Sequence, residues 1–156
     1  MKRFRKFVAS LAVCFGAGAV GGLFTASSVN SWYPQLIRPE FAPPNWVFAP
    51  VWNILYLLMA VSLYFIWSSD GQNTKKSALM AFAFQLVLNM AWSAVFFGLR
   101  SPAGGFLVIL VLITAILWTI FLFGRISRKS ALLLLPYLCW VGFAGYLNYG
   151  YWILNP

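Results

Sequence analysis

The 156-residue chain has no histidine, and its only carboxylates are Glu40 and Asp70. Without histidine, neither a Ser-His-Asp triad nor a histidine metal site can be assembled. Glu40 and Asp70 fall on opposite sides of what reads as a membrane span, so they cannot work as an acid–base pair. The two cysteines, Cys14 and Cys139, each stand inside an apolar run with no CxxC or metal-ligand spacing, and read as small buried hydrophobes. No glycine-rich phosphate loop follows a strand. No metal or obligatory cofactor is expected. Charge of either sign is also scarce. Only 8% of the residues are charged, where a soluble domain has about a quarter.

What fills the chain instead is apolar: 62% of it is hydrophobic. A soluble fold of this length has too little interior to hide that much apolar surface, so the bilayer is its natural solvent. Five nearly uncharged runs, at about 7–26, 45–67, 77–98, 102–124 and 130–154, each approach or exceed the ~20 residues needed to cross ~30 Å of hydrocarbon. The runs are continuous rather than alternating, which selects helices over a barrel. The expected fold is an all-α integral membrane protein: one domain over 1–156, a bundle of five transmembrane helices, with a long loop at 27–44. The first run follows a basic start and ends in small residues, so a secretory signal peptide stands as the alternative to a first span.

The net charge of +9 does not point to nucleic acid, because the basic residues punctuate the gaps between spans. Lys2, Arg3, Arg5, Lys6, Lys75, Lys76, Arg125, Arg128 and Lys129 gather on one side, and only Arg38 and Arg100 on the other. By the positive-inside rule the N-terminus is cytoplasmic, with the first loop and the C-terminus outside, as in a bacterial cell membrane. No Asp, Glu, Lys or Arg lies inside a span, which argues against an ion-coupled pump. Pro102 and Asn45 are expected at the starts of their helices, and Pro50 and Pro136 near bends.

The stretch from Trp32 to Met59 concentrates five of the eight prolines and three of the eight tryptophans. It reads as the lid and front wall of a ligand pocket. Three helices add polar-aromatic faces at helical spacing: Trp52, Asn53 and Tyr56; Gln85, Asn89 and Trp92; Tyr137, Trp140, Ala144, Asn148 and Tyr151. Such groups also bond simply to neighbouring helices. Their coincidence on three helices suits a mostly apolar cavity for a flat aromatic ligand. Trp32, Tyr33, Trp67, Tyr151 and Trp152, near span ends, read as an interfacial belt. Gly18 and Gly22 form a GxxxG suited to close helix contact.

At these residues the chain resembles the TspO/MBR family of tryptophan-rich sensory proteins and translocator proteins. The likeness runs from about Gly16 to Asn148. It is carried by Trp32-Tyr33; by Arg38-Pro39, Pro43-Pro44, Trp46, Phe48, Trp52 and Leu55-Tyr56; by Gln85, Asn89, Trp92 and Phe96-Phe97-Gly98; and by Pro136-Tyr137, Trp140, Ala144 and Leu147-Asn148. The resemblance implies a five-helix bundle, commonly a homodimer, with a pocket under the first loop for porphyrins such as protoporphyrin IX and benzodiazepine-type ligands. It implies sensing, tetrapyrrole or sterol transport, or light-dependent porphyrin degradation, the last through Trp52 and Trp140. The expected ligand-binding set is Trp32, Arg38, Pro43, Trp46, Trp52, Asn53, Tyr56, Gln85, Asn89, Trp92, Tyr137, Trp140, Ala144 and Asn148. Arg38 stands where relatives have lysine and Glu40-Phe41 where many carry tryptophan. No basic residue follows Tyr149, as the sterol motif of the mitochondrial relatives requires.

Overall fold

A computed structural model describes residues 2–69 and 72–156, with the backbone alone at 2, 72 and 73. Asp70, expected across the membrane from Glu40, lies outside the described residues. Among the described residues there are six α-helices: α1 (Lys2–Ser28), α2 (Phe48–Ser68), α3 (Gln72–Ser93), α4 (Pro102–Gly124), α5 (Arg128–Leu133) and α6 (Leu135–Leu154). No strand occurs among the described residues. Among the described residues, five helical segments are long and apolar enough to cross a bilayer: Arg3–Ser28, Asn45–Ser68, Thr74–Gly98, Pro102–Gly124 and Arg128–Leu154, the last being α5 and α6 together. The protein is therefore an all-α integral membrane protein. The first segment is one wall of the bundle, packed on α2 and α3.

Side-chain chemistry explains most of the boundaries. Ser101 Oγ accepts from the Gly104 N–H and Pro102 occupies the first turn of α4, where its missing N–H has no role. Ser127 caps α5 in the same way, by accepting from Ser130 N–H. Asn45 does not cap α2; it opens a 3-10 turn, Asn45–Val47, that leads into the helix without a side-chain cap. Pro50 falls in the first turn of α2 and leaves it unbroken. Pro136 does break its span: it cannot donate to the preceding turn, and the helix divides at Leu134 into α5 and α6. At the opposite end from the loop, Lys6 Nζ and Lys75 Nζ both donate to Trp67 C=O, at 3.0 and 2.7 Å. Two cations thus satisfy the carbonyl end of α2 and draw the starts of α1 and α3 against it.

The spans close a ring in the order first, second, fifth, fourth, third, since α1 packs on α2 and α3, α3 on α4, α4 on α5 and α6, and α2 on α5. Met59, Ile66, Phe82, Phe123, Ile116 and Leu134 fill the interior toward the α2–α3 turn, with Phe82 and Phe123 stacked at 5.7 Å. Leu107, Val111, Leu117, Trp118 and Phe121 of α4 are exposed and face outward, as suits lipid. Cys14 is buried as expected, but Cys139 is exposed on the outer face of α6.

Two local irregularities shape the loop end. After Ser93 the chain runs as a π-helix, Ala94–Gly98, closed by Leu99 N–H to Ala94 C=O at 2.9 Å. Widening the turn by one residue lets the consecutive rings of Phe96 and Phe97 both point inward, 2% and 8% exposed, which an α-helix of ordinary pitch does not favour. Arg100 then adopts a left-handed conformation, φ 54°, in the short link to α4. A side chain there costs about 1 kcal/mol relative to glycine.

Candidate ligand-binding cavity

A cavity of about 630 Å³ opens between α1, α2, α3 and α6 under the loop. Its back wall is a run of rings in mutual contact. Trp52 stacks on Tyr56 at 5.5 Å and on Trp92 at 6.4 Å, with interplanar angles of 29° and 27°; Trp92 in turn stacks on Phe96 at 5.7 Å and 27°. Four rings from α2, α3 and the π-turn thus form one column.

Buried amides fix the column. Tyr56 Oη donates to Asn89 Oδ1 at 2.7 Å, and Asn89 Nδ2 donates to Tyr137 Oη at 3.2 Å, so α2, α3 and α6 share one polar knot. Trp92 Nε1 donates to Asn148 Oδ1 at 2.9 Å, and Asn148 Nδ2 donates to Pro102 C=O at 2.6 Å. Tyr56, Asn89, Tyr137 and Asn148 are buried, so a missing bond there would leave a desolvated donor or acceptor. Near the loop, the Tyr33 and Tyr151 hydroxyls pair at 2.8 Å. Burial, then the bond with Tyr151, pushes the Tyr33 phenol well above its ordinary range, so it stays neutral.

The cavity mouth lies between α1 and α2. These helices touch at Phe7–Tyr64 and Phe15–Tyr56, and Gly18 lets α1 come so close that a Cβ there would sit 2.6 Å from Tyr56 Cε2. One turn further, a Cβ at Gly22 would meet nothing within 4 Å. The helices have parted, and Ala19, Gly22 and Ala26 on one edge and Ala49 and Asn53 on the other line the cavity while remaining exposed. The GxxxG is thus split: Gly18 makes the contact and Gly22 leaves the opening. No Lys, Arg, Asp or Glu is among the described lining residues.

Of the residues singled out from sequence, Trp52, Asn53, Tyr56, Asn89, Trp92, Ala144 and Asn148 line the cavity. The others stand elsewhere. Tyr137, fully buried, lies behind the lining and holds Asn89. Gln85 is buried one turn before Asn89, with neither amide atom hydrogen-bonded. Trp140 packs on Phe48 and Phe143, outside the lining. Trp32 packs edge-on against Phe96. Arg38 is exposed and donates to Pro43 C=O at 2.8 Å, bracing the loop. Trp46 is 74% exposed. Tyr33, read from sequence as interfacial, and Tyr151, read both on the polar-aromatic face of its helix and as interfacial, are buried and face the cavity. The reading from sequence missed the whole α1 wall, from Phe15 to Ala26. Its glycines and alanines were visible, but nothing separated a seam against a helix from a seam against a ligand.

A family model described as TspO/MBR matches residues 10–153. The chain is 40% identical to Tryptophan-rich protein TspO of Chlorobaculum tepidum, over 97% of this chain and 99% of that one. It is 42% identical to Tryptophan-rich protein TspO of Archaeoglobus fulgidus, over 96% and 97%. With the human Translocator protein the identity is 36%, over 85% and 80%.

Proposed function

The chain belongs to the TspO/MBR family, and from that premise we propose that it is a membrane receptor or sensor that takes a porphyrin of the protoporphyrin IX type into the cavity beneath its first loop. The observation that carries this reading is the ring column Tyr56–Trp52–Trp92–Phe96 along a cavity of about 630 Å³. Stacked rings give a flat, wide ligand a face to lie on, and the uncharged lining suits a macrocycle's apolar body. An amphipathic ligand leaves its carboxylates toward the mouth, where Asn45 and Asn53 are exposed and the Arg38 loop is near in sequence. The distribution of Lys and Arg supports a topology with the N-terminus cytoplasmic and the loop and cavity mouth on the outer side.

Protoporphyrin IX added to purified protein in detergent is expected to quench tryptophan fluorescence saturably. Trp52→Phe should weaken binding about tenfold, because Trp52 joins both halves of the column; Trp140→Phe, behind Phe48, should change it by less than about threefold. Equal and unchanged titrations for wild type and Trp52→Phe would remove the column from the site.

A further inference from the structure

Three contacts tie the loop to the end of α6. The Tyr33 hydroxyl meets that of Tyr151. Pro39, buried despite its place in the loop, lies against Gly150 so closely that a Cβ there would be 2.7 Å from Pro39 Cγ. Beyond the last turn, Asn155 makes a two-point bond to one residue of the loop: Ile37 N–H donates to Asn155 Oδ1 at 2.8 Å, and Asn155 Nδ2 donates to Ile37 C=O at 3.1 Å. The same Nδ2 also donates to Tyr151 C=O at 2.9 Å. One amide therefore caps the helix and grips the loop together.

We infer that Asn155 is the latch of the cavity roof, a positioning residue that sets how often the loop lifts and so how fast ligand enters and leaves. Tyr33 is the loop ring that lines the cavity, and the loop reaches Ile37 only four residues later. Between Ile37 and Asn45, Glu40, Phe41 and Pro44 are exposed, and the described side-chain hydrogen bond inside this segment, Arg38 to Pro43 C=O, stiffens it without fastening it to a helix. What fastens it is α6, through Pro39 on Gly150 and through Asn155. The Tyr33–Tyr151 pair is deep and dry, whereas the Asn155 bonds are at the exposed rim. The rim bonds break first and the buried pair follows, the order in which a flap peels.

The inference takes its ligand from the function proposed above, but the latch is measurable without one. Two net hydrogen bonds shift an opening equilibrium by roughly tenfold. In Asn155→Ala, amide hydrogen exchange at the non-proline residues of 33–42 is expected to quicken about tenfold in the ligand-free protein, with α3 and α4 unchanged. Asn155→Asp keeps the acceptor for Ile37 N–H and loses the donor, and should fall between. Gly150→Ala, which displaces Pro39 and leaves Asn155 intact, should loosen the same segment. Exchange at wild-type rate in Asn155→Ala overturns the latch, whatever Gly150→Ala does. Stopped-flow mixing with protoporphyrin IX is the second measurement: in Asn155→Ala both association and dissociation should speed up by a similar factor, so that affinity moves little. A faster dissociation alone, with association unchanged, makes Asn155 a ligand contact or a packing residue and overturns the latch. If protoporphyrin IX does not bind the wild type, the proposed ligand fails, and the exchange experiment still decides the latch.

Discussion

Asn148→Leu is expected to lower the stability of the bundle by about 2–3 kcal/mol and to weaken porphyrin binding at least tenfold. Asn148 is 2% exposed and spans three elements. Its Oδ1 receives Trp92 Nε1 from α3 and its Nδ2 reaches Pro102 C=O at the start of α4. The substitution keeps the branching of the side chain but leaves the Trp92 indole N–H without its partner and removes the side-chain bond on Pro102 C=O, at ~1–3 kcal/mol for the unsatisfied donor, less where it relaxes toward another partner. Gly105 abuts Asn148 Oδ1 and Phe96, so a branched side chain has little room to adjust. The functional loss follows from Trp92: freed of its bond, the ring no longer holds its angle between Trp52 and Phe96. The check is unfolding in mixed micelles alongside a fluorescence titration. A variant as stable as wild type, with full affinity, would show that the Trp92–Asn148 bond does not set the column.

Gly18→Leu is expected to abolish measurable ligand uptake while leaving the far half of the bundle folded. Even the first atom of a side chain at this position would fall 2.6 Å from Tyr56 Cε2. Tyr56 is not free to swing away, since its ring stacks on Trp52 and its hydroxyl is bound to Asn89. The strain separates α1 from α2 or drives the new side chain into the cavity. Overpacking of this kind costs about 1–3 kcal/mol. Gly22→Leu provides the contrast. Open space surrounds that position, so the chain should keep its stability and only narrow the mouth, slowing association. Identical titrations for wild type and both variants would show that α1 is not a wall of the site.

Most of the fold was legible in the sequence because a bilayer imposes one demand on each span: about 20 residues without charge. Helix ends were less legible. The basic residues before Phe7 extend α1 because Lys and Arg are sound helix formers and because Lys6 finds the Trp67 carbonyl, a partner 61 residues away that local pattern does not reveal. The site was legible in part. Asn89, Trp92 and Asn148 announced themselves as polar groups with nowhere to go in lipid, and they are where the hydrogen bonds converge. Tyr33 misled and Tyr151 was read both ways, because an aromatic residue near a span end looks alike whether it floats at the interface or turns inward to meet its pair. The π-turn was hidden as well. Phe96-Phe97 fits an ordinary helix with one ring in and one out, and only the wider turn brings in both.

The uncharged lining has a consequence for how the site reports on its surroundings. The ionisable groups on its wall are phenols, and the one at the loop, Tyr33, is driven further from ionisation by its burial. Across neutral pH the Tyr33 phenol therefore keeps its proton, and its bond with the Tyr151 hydroxyl persists. For the porphyrin proposed above, Tyr33 then adds no charge of its own near neutral pH, and a change of occupancy with acidity is expected to follow the guest's carboxylates.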